Sequence, residues 1–259
     1  MQVIILAAGE GTRLRPHTDK KPKCLVELCN KSIIERMIEK LISADVKSED
    51  IHIVTGYMSH ALEFLPVHKI HNAKYNQTNM VYSLFCAEDV LKSGEDVLIL
   101  YGDIIISTET LKSALNQMKA ISVISNNAWE RLWHARMDNP LEDLESFKIN
   151  KDKKLIEIGK KASQYEEIEG QFTGIIKFRK DITLSIIDFY RKLQSENVGA
   201  SMQFNNMYMT DFLQLMIEHS YDLYVSEIQG GWLEIDTVQD LNVYNKMQAE
   251  STLAELCQI

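Results

Sequence analysis

The sequence predicts a doubly wound α/β protein on a mostly parallel sheet, with a smaller β-rich subregion in its second half. Three observations lead there. Short apolar runs such as Val3-Ile4-Ile5-Leu6 and Val97-Leu98-Ile99-Leu100-Tyr101 have the length and composition of strands covered on both faces. Segments with helical spacing and capping residues alternate with them. From about Trp129 the strands shorten and charged turns join them.

In order, a strand over 2–6 empties into a loop that lasts through Asn30. Ser32 is placed to cap a helix running to about Ser43, with Glu35 at capping-box spacing. Ile51-His52-Ile53-Val54-Thr55 is the second strand and 61–65 a short helix. His68 and His71 have HxxH spacing, but without a partner cluster they read as loop or strand-edge residues. Asn79 or Ser83 starts a helix towards Leu91, 97–101 is the most apolar strand, 108–118 is helical and 121–124 adds a strand. Ligands of such a sheet sit beyond the carboxyl ends of its strands. Shorter strands are expected over 147–149, 155–158, 172–178 and 223–225, and helices over 182–193, 210–218 and 238–247. With no repeat or proline-rich hinge, one domain over 1–250 is expected, its halves dividing near 125, followed by a tail over 251–259.

The 259 residues carry a net charge of −9, which excludes the basic face that nucleic-acid binding needs but leaves room for a pocket with a few local cations. Met1 leads straight into the first strand and no apolar run reaches membrane-spanning length, so no signal peptide or membrane anchor is expected. Cys24, Cys29, Cys86 and Cys257 form no CxxC pair, which fits a reducing cytoplasm and no structural zinc.

The most informative stretch is Leu6-Ala7-Ala8-Gly9-Glu10-Gly11-Thr12-Arg13-Leu14, followed by Lys20-Lys21-Pro22-Lys23. A backbone without side chains can lie against a flat base and phosphates with its N–H groups on oxygens. Arg13 and Lys23 supply fixed positive charge for the same phosphates. A dinucleotide fingerprint would want a third glycine where Leu14 stands, which disfavours a nicotinamide oxidoreductase, and a P-loop would want Gly-Lys-Ser/Thr. The segment resembles the signature of nucleotidyltransferases that join a nucleoside triphosphate to a sugar 1-phosphate or another small phosphate. That resemblance implies a Rossmann-like nucleotidyltransferase fold. It also implies a nucleotide held by Leu6, Ala7, Ala8, Gly9, Gly11, Thr12, Arg13, Lys23 and Gly102.

Tyr101-Gly102-Asp103 ends the most buried strand, where a carboxylate is a natural Mg²⁺ ligand but reads equally as the cap of the next helix. Asp236, in Trp232-Leu233-Glu234-Ile235-Asp236-Thr237, carries the same ambiguity. The resemblance pairs them as metal ligands, with Glu234 a weaker third. Nucleotidyl transfer asks the protein to align reactants and neutralise charge, and an acceptor phosphate needs no general base. Arg13, Lys23, Asp103 and Asp236 are therefore the expected catalytic set, with Mg²⁺ as cofactor.

Asn76-Gln77-Thr78-Asn79-Met80-Val81-Tyr82-Ser83-Leu84 departs from the sugar-type pattern and looks more like the CTP-using branch typified by bacterial phosphocholine cytidylyltransferase. Asn79 and Ser83 are then expected at the cytosine, although Asn79 also reads as a helix cap. The acceptor would be phosphocholine, an aminoethylphosphonate or a phosphoglutamine-type molecule. A choline head would want an aromatic cage, for which Trp129, Trp133, Tyr208 and Trp232 are available, although each reads more readily as a packing residue. An amino-acid head would want an arginine and an acid, such as Arg131, Glu169 or Asp211. The expected partners are CTP and a small phosphorylated metabolite, and the expected setting a cytoplasmic monomer or small homo-oligomer making cell-surface polysaccharide precursors. A sugar-1-phosphate nucleotidylyltransferase using UTP, dTTP or GTP is the alternative, and a silent nucleotide-sensing subunit a third.

Overall fold

The computed structural model describes residues 1–196 and 204–259. The chain opens with β1 (Gln2–Ala7), the small hairpin β2 (Glu27–Leu28) and β3 (Lys31–Ser32), then α1 (Ile33–Ser43), β4 (Ile51–Thr55) and β5 (His68–His71). Next come α2 (Met80–Cys86), α3 (Glu88–Leu91), β6 (Val97–Tyr101), β7 (Ile104–Ile106), α4 (Thr108–Leu115) and β8 (Ile121–Asn126). An excursion follows through α5 (Trp129–Arg136), β9 (Glu145–Ile149) and β10 (Leu155–Lys161). The chain then adds β11 (Gln171–Phe178), α6 (Thr183–Ser195), α7 (Met209–Glu218), β12 (Tyr224–Ile228), β13 (Trp232–Glu234) and α8 (Val238–Ala249).

Seven strands form the central sheet in the order β12-β8-β11-β6-β1-β4-β5. All neighbours are parallel except that β11 runs antiparallel to both β6 and β8. Register brings Leu6 beside Tyr101 and Ala7 beside Thr55, so the carboxyl ends of β1, β4 and β6 open on one edge. Alternation along the strands splits the core. Val3, Ile5, Leu98 and Leu100 pack on one face with residues of α1, α4, α5 and α8. Ile4, Leu6, Val97 and Ile99 pack on the other with residues of α2, α3, α6 and α7. Strands buried this way on both faces read as continuous apolar runs, which is why they were legible. The antiparallel pairs β9–β10 and β7–β13 form separate two-stranded sheets outside the central one.

Several expectations are adjusted. The segment 61–65 is a single 3-10 turn over Ser59–Leu62, and the helix towards Leu91 breaks at Ala87 into α2 and α3. The helix expected over 108–118 stops at Leu115. Residues 251–259 pack inward: Leu253, Leu256 and Cys257 are buried and Gly231 N donates to Leu256 O at 2.7 Å. Among the described residues no helix is long and apolar enough to cross a membrane.

Candidate active site

The loop after β1 is built around Gly11. Its φ of +64° is left-handed, and a Cβ there would stand 2.8 Å from Lys23 Cβ, so only glycine lets the loop cross under Lys23. Thr18 Oγ1 donates to Gly11 O at 2.8 Å, and Leu14, where a dinucleotide loop would carry glycine, is fully buried and anchors the turn Thr12–Leu14. Arg13 is left pointing outward and pairs with Asp236.

Asp103 occupies the tight turn between β6 and β7. Gly102 N donates to Leu6 O at 2.8 Å, and a Cβ on Gly102 would meet Leu6 O and Ala7 Cβ, each at 2.8 Å. The next helix, α4, is capped by Ser107, whose Oγ accepts from Thr110 N at 3.1 Å, which leaves the Asp103 carboxylate for the site. Asp236 is released in the same way. Thr237 caps α8, accepting from Asp240 N at 3.1 Å while Asp240 Oδ2 accepts from Thr237 N at 2.8 Å. Ile235 N donates to Asp103 O at 3.1 Å, joining the two acid-bearing segments through their backbones.

Lys23 Nζ lies 2.6 Å from Asp103 Oδ2 and 2.8 Å from Asp236 Oδ1. Burial alone would depress its pKa, but Asp103, Asp236 and Glu234 together drive it above the ordinary lysine value, so Lys23 stays charged. Glu234 is pushed up to about 7, by burial and then by the Asp103 charge, with Arg136 and Lys23 pulling the other way. Asp103 Oδ1 is buried and has no hydrogen-bond partner. An unpartnered carboxylate oxygen beside a second carboxylate suits a hard divalent cation. Among the described residues no group of three or more His, Cys, Asp or Glu converges on one point, so such a cation would complete its shell with phosphate oxygens and water, as magnesium does.

Two hollows meet at this cluster. One, of about 660 Å³, brings together Leu6, Ala7, Ala8, Gly9, Lys23, Asn79, Ser83, Gly102 and Asp103 from the expected set. Gly11 and Thr12 shape the loop but do not line it. Asn79 is both helix cap and wall: its Oδ1 accepts from Met80 N at 2.8 Å. Ser83 Oγ accepts from Asn72 Nδ2 at 3.0 Å. Tyr75, Thr78 and Cys24 also line this hollow and were not foreseen. Tyr75 packs against Gly56, where a Cβ would lie 2.5 Å from Tyr75 Cβ, a close approach that only the fold makes visible.

The second hollow, of about 720 Å³, is lined by Arg13, Glu234 and Asp236 of this cluster and by Glu145, Gln171 and Thr210. Trp133 and Trp232 stack along it with ring centroids 6.0 Å apart, and Trp232 Nε1 donates to Thr173 O at 2.8 Å. Both rings are almost wholly buried, so they form a packed wall rather than a cage around a ligand. Burial and then the charge of Asp211 raise the Glu145 pKa above the usual carboxylate value.

Of the residues expected at the acceptor, Tyr208 and Trp232 line this hollow, and Glu169 and Asp211 do not. Glu169 accepts from Ile149 N at 2.6 Å, and Asp211 accepts from Tyr208 N at 3.0 Å as part of the α7 cap. Trp129 packs near Tyr165 and Arg131 pairs with Glu255 on the surface, both away from the hollow. Glu145 and Gln171 were missed because they come from β9 and β11, strands of two different sheets that only the tertiary fold brings to one hollow. The nearest sequence signal was Gln171 directly before the glycine-containing run Phe172-Thr173-Gly174.

Residues 3–163 match the family model described as the MobA-like NTP transferase domain. The chain is 40% identical over 252 residues to CTP:phosphoglutamine cytidylyltransferase of Campylobacter jejuni, covering 94% of this chain and 98% of that one. It is 27% identical over 253 residues to choline-phosphate cytidylyltransferase of Streptococcus pneumoniae, covering 96% and 97%. The solved structure of CTP:phosphocholine cytidylyltransferase from Streptococcus pneumoniae superposes with a TM-score of 0.72 at 23% identity, covering 95% of this chain and 98% of that one. The inositol-1-phosphate CTP transferase from T. maritima gives 0.69 at 22%, covering 100% and 98%. At these identities the two structures establish a shared fold.

Proposed function

Because the chain belongs to the MobA-like NTP transferase family, we propose that it transfers CMP from CTP to a small phosphorylated acceptor of the phosphoglutamine type, releasing pyrophosphate. The observation that carries this is the meeting of Arg13, Lys23, Asp103 and Asp236 at the seam between two hollows. The likeness to CTP-using relatives over nearly the whole chain supports cytidine as the base.

On this reading the triphosphate lies along the Ala8–Gly9 backbone with its base towards Asn79 and Ser83. An oxygen of the acceptor phosphate attacks the α-phosphorus, the bond from that phosphorus to the β-phosphate bridging oxygen breaks, and pyrophosphate departs. The attacking phosphate is already deprotonated at neutral pH, so no side chain has to accept a proton. Lys23 offsets charge on the α-phosphate and the incoming phosphate, and Arg13 steadies the β- and γ-phosphates. A magnesium ion held by Asp103 and Asp236 would supply further charge neutralisation when bound. Glu145 suits an ammonium group on the acceptor, since it is a half-buried acid beside aromatic walls.

The test is to incubate the protein with each nucleoside triphosphate, Mg²⁺ and a panel of small phosphates and phosphonates, following pyrophosphate release and identifying products by mass. CTP with phosphoglutamine should give a CDP conjugate. Preference for UTP or dTTP with sugar 1-phosphates would overturn the reading, and so would absence of turnover with any pair.

A further inference from the structure

We infer that the Arg136–Asp240 ion pair is a positioning device that holds Asp236 in place for metal-bound nucleotide. The inference rests on the proposed role of Asp236 as a metal ligand. Both partners are almost wholly buried, and the guanidinium grips the carboxylate as a fork, Nε to Oδ1 at 2.9 Å and Nη2 to Oδ2 at 3.2 Å. Asp240 Oδ2 then accepts from Asp236 N at 3.0 Å and from Thr237 N at 2.8 Å. A capping box alone accounts for the Thr237 contact. It accounts neither for the grip on the Asp236 amide nor for a buried arginine delivered from α5.

The same helix reinforces the arrangement. Gln239 Nε2 donates to Arg136 O at 2.7 Å, and Arg136 Nη1 lies 3.4 Å from Glu234 Oε2. The guanidinium stacks 4.8 Å above the Trp133 ring, which fixes its plane. Tyr244 OH donates to Glu234 O at 3.1 Å, and Ile235 N donates to Asp103 O. Four successive residues that end β13 and open α8 are thus tied down through their backbones, and two of those ties run through Asp240. Second-layer contacts of this kind orient metal-binding carboxylates.

The experiment measures CTP affinity calorimetrically with Mg²⁺ and with EDTA, in the wild type and in variants. The ratio of the two affinities reports the metal site, whereas general damage lowers both alike. Arg136→Met should lose about tenfold of the Mg²⁺-dependent gain, with affinity in EDTA unchanged, and Arg136→Lys should recover part of it. Since an unpaired buried Asp240 threatens folding, Arg136→Met/Asp240→Asn removes both charges and should show the same loss. Leu193→Ala, a buried truncation in the opposite core, should lower thermal stability and leave the ratio alone. An unchanged ratio in the Arg136 variants, with Asp236→Asn losing the gain, overturns this inference alone. Retention of the gain by Asp236→Asn overturns it together with the metal-ligand reading.

Discussion

Replacing Lys23 with methionine keeps the aliphatic stem and removes the ammonium that lies 2.6 Å and 2.8 Å from two carboxylates. Only 14% of the side chain is exposed, so the charge acts where solvent screens it weakly. A preorganised donor aimed at developing negative charge contributes on the order of 10²–10³ in kcat, about 2.7–4 kcal/mol. Lys23 faces both the α-phosphate and the incoming phosphate on the proposed reading, which argues for the upper end of that range. Stability should fall as well, because Asp103 and Asp236 then confront each other without their shared counter-ion. For a mostly buried but not fully enclosed cluster a loss of about 1–3 kcal/mol is expected, between the exposed and fully buried cases. Steady-state pyrophosphate release, measured well below the melting temperature of the variant, separates the two effects. A variant that keeps more than a tenth of wild-type kcat would refute the assignment of Lys23 to the reacting phosphates.

Gly102→Ala places a methyl group 2.8 Å from Leu6 O and Ala7 Cβ, both in β1; it should cost about 1–3 kcal/mol in chemical denaturation and raise KM for CTP, and a neutral result would mean the turn is looser than it looks. Asn79→Ala should cost about 1 kcal/mol through the lost cap and relax the preference for CTP over UTP, read from kcat/KM ratios. Glu145 is favoured in its neutral form by burial and by Asp211, so any stability linked to it is present at low pH and lost as pH rises through its raised pKa. An acceptor ammonium needs the ionised form, so acceptor KM should rise as pH falls through that value. Glu145→Gln should raise KM at neutral pH and abolish this acid limb, and a limb that persists would assign it to another group.

The proposed nucleotide side was legible because the residues that define it are local. Gly11, Arg13 and Lys23 lie within one loop, and the strands that present them are buried on both faces and read as apolar runs. The acceptor side was less so. Helix α5 places Trp129, Leu132, Trp133 and Arg136 on its buried face, a regular helical stripe whose fourth member is an arginine. It looks like a broken pattern until Asp240, far along the chain, is seen to neutralise it. The direction of β11 left no trace either, since alternation reports which faces are buried and not which way a strand runs. The ambiguity at Asp103 and Asp236 was resolved by Ser107 and Thr237, small hydroxyl residues that take over the capping role a few positions on.

The path of the chain around β11 has an engineering consequence. Asn126, the last residue of β8, and Gln171, the first of β11, are register partners, so the segment between them leaves and rejoins the β8–β11 pair at one doorway, touching the sheet on the way where Lys154 bridges to Tyr224 of β12. That excursion carries Trp133, Asp143 and Glu145 along the wall of the proposed acceptor hollow. On the proposed reading, a cassette cut at these two positions and exchanged between relatives should carry acceptor choice with it, provided the donor segment brings its own arginine for Asp240 and keeps the backbone contact of Lys153 with Val225 of β12. A cut that ended the chain at residue 163, where the family match stops, would leave β8 and β6 without the strand that lies between them.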